Sequence, residues 1–315
     1  MKKALVTGSS GFIGTHLVRR LKSEGYFVVG VDLVPPKYEE PNVFFNYDLS
    51  NNQLCKKVFA EYQYDEVYNL ACLMGGMGFI GDPAHSYDVM IGSTLVVANV
   101  IECSVMQNVQ KSFYSSSACV YNESYQNQTN DVSLKESMAY PAAPDLVYGW
   151  QKLFSEQMYQ ASRLNVRIAR FHNIYGTEGT YKGGKEKAPA AICRKVIDSR
   201  DEIEIWGDGE QTRSFLYIDD CIDAVRLLMK SDFKEPINIG SEEMVSINQL
   251  ADLAIEFSGK QITKQYDLTK PQGVRGRNSN NDLIRKILNW EPKFTLRQGL
   301  ENTYFWINKQ INGAN

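Results

Sequence analysis

Two residues four apart in this chain can take part in hydride chemistry. Tyr148 and Lys152 share one face if the segment is helical. A tyrosine phenol has a pKa of about 10, and a neighbouring ammonium favours its ionised form, which can remove a proton from a hydroxyl. Ser117 can hydrogen-bond the same oxygen. The pattern therefore indicates oxidation at an alcohol carbon, for example in a sugar.

A cysteine follows this serine by two residues. The thiol of Cys119 has an unperturbed pKa of about 8.5, so it can exchange a proton with a carbon made acidic by an adjacent ketone. Together the groups predict a substrate that is oxidised only in order to be rearranged. Both patterns have simpler explanations, because Tyr-x-x-x-Lys pairs occur by chance and a buried cysteine is a common core residue.

The apolar periodicity of the first half predicts the elements that position these residues. Short apolar strands alternate with helical patterns, which indicates an α/β fold with a doubly wound parallel Rossmann sheet. The predicted strands are Lys3–Thr7, Phe27–Asp32, Val43–Phe45, Glu66–Leu70, Ser112–Ser115 and Val166–Phe171. The predicted helices of this half include Thr94–Cys103 and Tyr148–Ser162.

The pattern of apolar and polar residues changes after Phe171, and a smaller interleaved α/β lobe is expected there. We predict a first domain at 1–171, to which roughly 213–240 return, and a second lobe made mostly of 172–315. The predicted features are a loop at 176–184, a helix at 187–197, a strand at 202–206, a tight turn at 207–209 and helices at 246–257 and 297–311. The polar stretch 126–130 is expected to be an exposed loop.

A glycine-rich turn between the first strand and the first helix indicates a dinucleotide site. Gly8, Gly11 and Gly14 let the backbone approach a pyrophosphate at the helix N-terminus. Asp32 ends the second strand, where a carboxylate can bind ribose hydroxyls and repels a 2′-phosphate, so NAD is expected rather than NADP. The predicted cofactor residues are Gly8, Gly11, Phe12, Ile13, Gly14, Asp32, Asp48, Leu49, Leu70, Tyr148 and Lys152.

The composition excludes several other classes of protein. With 315 residues and a net charge of −3, the chain has no electrostatic case for binding nucleic acid or an anionic membrane. No apolar run is expected to reach the roughly 20 residues of a membrane helix. Six cysteines without C-x-x-C spacing and only three histidines predict reduced cytoplasmic thiols and no metal site.

Several motifs resemble those of the extended short-chain dehydrogenases/reductases, which act mostly on nucleotide sugars. They cover Arg170–Gly176, Gly207–Phe215 and Asn238–Gly240. Five further motifs, in order along both lobes, resemble the GDP-mannose 3,5-epimerase family. These are Met74–Ile80, Ser117–Cys119, Lys187–Ala191, Gln211–Phe215 and Val274–Ser279.

The resemblance implies roles for particular residues. It implies that Cys119 and Lys187 are an acid/base pair acting on C3 and C5 after oxidation at C4, with products GDP-L-galactose and GDP-L-gulose. Tyr148, Lys152 and Ser117 complete the predicted catalytic set. The implied substrate-binding residues are Gly75, Ser117, Ala118, Cys119, Tyr148, Asn173, Glu186, Lys187, Ala188, Lys195, Gln211, Arg213 and Arg275. The two arginines suit a pyrophosphate, because guanidinium pairs with phosphate oxygens.

One departure from the family pattern leaves alternatives open. Cys72 and Leu73 stand where the family has Ala-Asp, so a related GDP-hexose or GDP-heptose is a second candidate substrate. A 4-epimerase usually carries threonine at the position of Cys119, and a 4,6-dehydratase carries an Asp-Glu pair after the serine. An inactive NAD-binding regulator is a less favoured alternative. Such proteins usually lose one residue of the Tyr/Lys pair, and this chain keeps both. A homodimer is expected by analogy with the superfamily.

Overall fold

Strands and helices alternate along the chain. The computed structural model describes residues 1–130 and 132–313. Its strands are β1 (Lys3–Thr7), β2 (Phe27–Asp32), β3 (Val43–Asn46), β4 (Glu66–Asn69), β5 (Lys111–Ser117), β6 (Val166–Phe171), β7 (Ile174–Tyr175), β8 (Glu202–Trp206), β9 (Thr212–Ser214), β10 (Leu216–Tyr217), β11 (Ile237–Ile239), β12 (Met244–Ser246), β13 (Thr263–Asp267) and β14 (Gly276–Arg277). The α-helices are α1 (Phe12–Ser23), α2 (Asn52–Glu61), α3 (Met77–Ile80), α4 (Ser93–Met106), α5 (Val147–Ala161), α6 (Ala188–Asp198), α7 (Ile218–Lys230), α8 (Ile247–Ser258), α9 (Asp282–Leu288) and α10 (Leu296–Asn312).

Seven parallel strands form the main sheet, in the order β11-β6-β5-β4-β1-β2-β3. The strand order reverses beside β1, so a crevice opens at the carboxyl ends of β1 and β4, where ligands of doubly wound sheets bind. The predicted Rossmann fold is confirmed. Most predicted elements differ from the observed ones by only one to three residues at their ends, as expected for frayed boundaries.

The sheet is buried on both faces, which explains its nearly continuous apolar strands. Ala4 and Val6 of β1 pack into the core beneath α1 and α7, whereas Leu5 packs into the core beneath α2 and α4. This alternation is the two-residue period of a strand, and it lets one short segment serve two layers.

The remaining strands form three small sheets, in which β8 pairs with β13, β9 with β12 and β14, and β7 with β10. The segment containing α7 and β11 lies with the main sheet, because α7 packs against α1 and β11 pairs with β6. Strand β9 belongs to a small sheet instead. The domain boundary at residue 171 stays a prediction.

Two expectations need correction. The stretch 126–130 is largely exposed as predicted, but its first residue, Gln126, is fully buried, and its amide donates to the backbone oxygens of Tyr121 and Asn122. Pro83–Met106 forms a helical segment of 24 residues that contains an 18-residue stretch of mean hydropathy 1.8, and by length and composition it could cross a membrane. The helix is longer than predicted because Gly92 keeps helical angles in a π-helical turn that leads directly into α4.

Candidate active site

The turn after β1 is shaped to receive a phosphate group. Gly8 has a φ of +70°, which favours glycine, and a Cβ on Gly14 would lie 2.0 Å from the Gly8 oxygen. Helix α1 can therefore begin directly against the turn, with its N-terminal amides facing the crevice. The buried hydroxyl of Ser10 has no hydrogen-bond partner among residues 1–130 and 132–313. Such a turn fits the pyrophosphate of a dinucleotide.

Asp32 connects this turn to the end of β2. Its Oδ2 accepts a hydrogen bond from the Ser10 amide at 3.0 Å, and its Oδ1 accepts two, from the Leu33 amide at 2.7 Å and the Val34 amide at 3.3 Å. Oδ2 therefore keeps a second lone pair, with which it can accept a ribose hydroxyl. All of the predicted cofactor residues line one cavity of about 660 Å³. The residues present therefore fit NAD.

Lys152 reaches the carboxyl end of β5 from inside α5. It is 2% exposed, and its Nζ donates to the Ser115 backbone oxygen at 2.7 Å and lies 5.7 Å from the centre of the Tyr148 ring. Burial raises the pKa of Tyr148 well above its usual value, and the charge of Lys152 opposes this rise. The charge of the lysine thus favours the ionised tyrosine.

Cys119 lies in the 3₁₀ turn Ala118–Val120, which follows β5 immediately. Its amide donates to Ser117 Oγ at 3.2 Å, so the hydroxyl hydrogen of Ser117 is left for another acceptor. The thiol packs in one apolar cluster with Tyr148 and Phe79, and the side chain of Cys72 packs against the same cluster. Cys72 also lines the cofactor cavity, a position that sequence reasoning did not assign.

Arg277 is a site residue that sequence reasoning missed. Its Nη1 lies 3.2 Å from Cys119 Sγ, while its other nitrogens donate to Gln126 Oε1 at 2.5 Å and Asp145 Oδ2 at 3.0 Å. Burial disfavours the charged guanidinium, but negative charge on Cys119 and Asp145 raises the pKa of Arg277 above its usual value. A charged group therefore faces the thiol, where it can stabilise a thiolate.

Lys187 reaches the same region from the residue before α6. It is half-buried, and burial lowers the pKa of its ammonium while negative charge on Cys119 opposes this effect. A Cβ on Gly76 would lie 2.2 Å from the Glu186 oxygen, and the Gly76 amide donates to Lys185 O at 3.0 Å. The glycine loop before α3 is thus packed against the segment that carries the lysine.

A second cavity, of about 480 Å³, begins at these residues and extends into the smaller lobe. Ser117, Tyr148 and Lys187 line both cavities, so the cofactor and substrate spaces meet there. The predicted substrate residues that line the second cavity are Gly75, Ser117, Ala118, Cys119, Tyr148, Asn173, Glu186, Lys187, Ala188, Lys195, Gln211 and Arg213.

Arg275 is the predicted substrate residue that does not line this cavity. Its guanidinium pairs with both carboxylate oxygens of Asp208, at 3.0 and 3.2 Å, and with Gln272 Oε1 at 2.9 Å. Arg277, two residues later, lines the cavity instead. Both arginines are in the same short motif, and nothing in their spacing could show which one faces inward.

The basic side chains of the cavity are fixed by backbone oxygens. Arg213 donates to Thr212 O at 2.7 Å and Gln272 O at 3.1 Å, and burial, with the nearby charge of Arg277, lowers its pKa to about 9. Lys195 donates to the backbone oxygen of Glu204 at 2.7 Å. A dianionic phosphate would therefore meet cations that are already oriented.

Side chains that could ligate a metal ion are not clustered among the residues that the structure describes. Outside Asp131 and the last two residues, no group of three or more His, Cys, Asp or Glu side chains is placed to hold a metal ion. Taken together, the geometry combines a cavity that fits a dinucleotide with an adjoining cavity lined by a tyrosine, a thiol and a lysine.

Comparison with known proteins identifies the class that combines these features. The sequence profile of the NAD dependent epimerase/dehydratase family matches residues 4–240. The chain belongs to this family, which confirms the predicted use of NAD.

The curated relatives define the group within the family. GDP-mannose 3,5-epimerase of Arabidopsis thaliana is 46% identical over 98% of this chain and 83% of its own length. GDP-mannose 3,5-epimerase 1 of Oryza sativa subsp. indica is 46% identical over 97% of this chain and 82% of its own length. The predicted resemblance to GDP-mannose 3,5-epimerases is confirmed.

A solved structure shows the same architecture. The UDP-glucose 4-epimerase of Thermotoga maritima, crystallised with UDP-glucose, superimposes with a TM-score of 0.87 at 26% identity. The match covers 98% of this chain and 99% of that one. The fold is therefore shared over almost the whole chain.

Proposed function

We propose that this protein epimerises GDP-mannose at C3 and C5, giving GDP-L-galactose and GDP-L-gulose, with no net redox. The observation that carries the proposal is that Cys119, Lys187 and Tyr148 line one cavity, which adjoins a dinucleotide cavity. A 46% identity to plant GDP-mannose 3,5-epimerases over almost the whole chain supports this substrate.

The side chains divide the reaction between them. Bound NAD supplies reversible hydride transfer at C4 of the sugar. Tyr148 removes the proton of the C4 hydroxyl, Lys152 favours its phenolate, and the hydroxyl of Ser117 holds the C4 oxygen. The resulting ketone makes the hydrogens on C3 and C5 acidic. Cys119 then removes one of these protons, and Lys187 returns a proton from the opposite face of the ring.

The charge of the substrate fits the rest of the cavity. Arg213 and Lys195 are oriented by backbone oxygens toward a space that extends from the reacting groups into the smaller lobe. Guanidinium and ammonium groups bind a diphosphate without needing a metal ion. The sugar then lies at the end of the cavity near Tyr148 and the nucleoside at the end near Lys195.

NMR of the products formed from GDP-mannose in deuterated water tests the function. We expect deuterium at C5 and C3. A 4-epimerase would incorporate deuterium at neither carbon. A 4,6-dehydratase would give a 4-keto-6-deoxy product instead. The matched variant is Cys119→Ser, which keeps the size of the side chain but is a poor base. Full C5 exchange in this variant would contradict the mechanism.

We also propose that two copies of the chain pair through α4 and α5. These helices pack against each other, and they carry exposed apolar side chains outward, among them Leu95, Trp150 and Phe154. A second copy would bury these side chains, as in other symmetric dimers. Light scattering after size-exclusion chromatography should give a dimer, and Phe154→Glu should give a monomer. A monomeric wild type, or wild type bound to lipid vesicles through this face, would contradict the pairing.

A cytoplasmic location is part of the proposal. All six cysteines are free, and the proposed role of Cys119 requires a reduced thiol. The net charge of −3 gives no basis for a nucleic-acid partner. Fractionation of cells that express the protein should place activity in the soluble cytoplasmic fraction, and activity in the membrane fraction would contradict this proposal.

A further inference from the structure

Asp145 is a buried carboxylate in the substrate cavity to which the mechanism gives no role. It lies three residues before Tyr148, and its side chain is 8% exposed. Its Oδ2 accepts the hydrogen bond from Arg277 at 3.0 Å. Its Oδ1 is buried and has no hydrogen-bond partner among residues 1–130 and 132–313.

An unpartnered carboxylate oxygen is unusual in a protein interior, where buried polar atoms almost always have a partner. Arg277 cannot satisfy Oδ1, because its remaining nitrogens donate to Gln126 and point at the Cys119 thiol. The oxygen borders the cavity, so a bound molecule can supply the missing donor.

The chemistry of the oxygen restricts that donor to one part of the substrate. A diphosphate has only acceptors here and would be repelled by a carboxylate. The sugar has hydroxyl groups, and hydroxyls donate well to carboxylates. Asp145 contacts Arg277, which contacts Cys119, so it lies at the reacting end of the cavity rather than at the nucleoside end.

We propose that Asp145 Oδ1 accepts a hydrogen bond from a sugar hydroxyl at C2, C3 or C6, and thereby orients the ring toward Cys119. The inference rests on the proposed function, in which the C4 oxygen is held by Tyr148 and Ser117. Asp145 is a substrate-binding residue in this proposal and does not itself move a proton.

Titration calorimetry with two ligands tests the contact. For Asp145→Asn we expect affinity for GDP-mannose to fall about tenfold or more, since a charged hydrogen bond is lost, while affinity for GDP stays within about twofold of wild type. The control is Glu204→Gln, which alters a carboxylate near the other end of the cavity and should change both affinities alike. Equal losses for both ligands in Asp145→Asn, or no loss for either, would overturn the proposal.

Deoxy analogues test the same contact in a protein that needs no substitution. Wild type should bind one of the 2-deoxy, 3-deoxy or 6-deoxy forms of GDP-mannose about tenfold more weakly than GDP-mannose, and Asp145→Asn should lose that discrimination. Equal binding of all three analogues by wild type would overturn the proposal even if the variant failed to fold. Failure of the proposed function would appear separately, as wild-type binding of GDP-mannose without isotope exchange.

Discussion

Gly149 lies directly against the backbone oxygen of Cys119, so closely that a Cβ on Gly149 would stand 2.1 Å from that oxygen. The glycine is the neighbour of Tyr148 on the first turn of α5, whereas the cysteine belongs to the turn after β5. Tyr148 is the proposed base for the C4 hydroxyl, and Cys119 is the proposed base for the ring carbons. A contact between backbones therefore holds these two residues close together. A side chain at position 149 would force these two elements apart.

Gly149→Ala should destabilise the fold and slow the reaction. We expect the free energy of unfolding to fall by about 1–3 kcal/mol, as for other overpacked interior positions. Urea unfolding measures the stability, and isotope exchange measures the reaction. Gly92→Ala is the control for stability, because a Cβ on Gly92 would meet nothing within 4 Å and its backbone is already helical. Equal stability of the two variants would contradict the contact.

Arg277→Lys should impair proton exchange on carbon more than binding of NAD. A lysine keeps the charge but cannot donate to Gln126, Asp145 and the Cys119 thiol at the same time. We expect deuterium incorporation at C5 to slow by about 10- to 100-fold, the usual effect of losing a charged hydrogen bond. NAD affinity should stay near the wild-type value. An unchanged exchange rate would show that the guanidinium does not assist the thiol.

Lys187 should set an alkaline limit to activity. The residue must carry a proton in order to return it to carbon, and burial lowers its pKa below the usual 10.5. The rate of epimerisation should therefore fall with rising pH, beginning below pH 10.5. Lys187→Arg keeps its charge at those pH values, so the residual activity of this variant should lack the decline. The pH dependence of kcat measures the effect, and a decline that persists unchanged in the variant would assign it to another group.

Glu24 should stabilise the protein only above acidic pH. Partial burial opposes its ionisation, but hydrogen bonds and charge from Arg226, with a further hydrogen bond from Arg20, lower its pKa to about 2 from the usual 4.5. Its contribution is complete above about pH 4.5 and is lost as the pH falls toward 2.

Urea unfolding of Glu24→Gln measures this contribution. We expect a loss of about 1–2 kcal/mol at pH 7, a value reduced from the full pKa shift because the pair is partly solvated. The difference from wild type should shrink steadily between pH 4.5 and pH 2. A difference that stays constant over this range would show that packing, rather than charge, is responsible.

Local patterns were enough to predict a cofactor site. The three glycines, Asp32 and the pair Tyr148 and Lys152 each depend on short-range geometry, such as a turn or one helical turn, which sequence spacing encodes directly. In the structure these residues line one cavity.

Long-range packing decided what the patterns could not. Gln126 is expected in a loop from its polar neighbours, yet it is buried because it pairs with Arg277, 151 residues away. Arg275 and Arg277 share one motif. Only the tertiary structure shows that Arg277 faces the thiol, whereas Arg275 pairs with Asp208. Asp145 looks like an ordinary residue before a helix until its unpartnered oxygen is seen at the cavity wall.

The sequence by itself determined the sheet, the glycine turn and the chemical identity of the proposed reacting groups, because strand periodicity and one-turn spacings are local properties of the chain. The tertiary structure decided which groups meet. Cys119 and Lys187 are 68 residues apart, yet both line one cavity, and Gly76 allows the loop before α3 to pack against the segment carrying the lysine. Such close approaches between backbones depend on the whole fold, and no spacing along the chain records them.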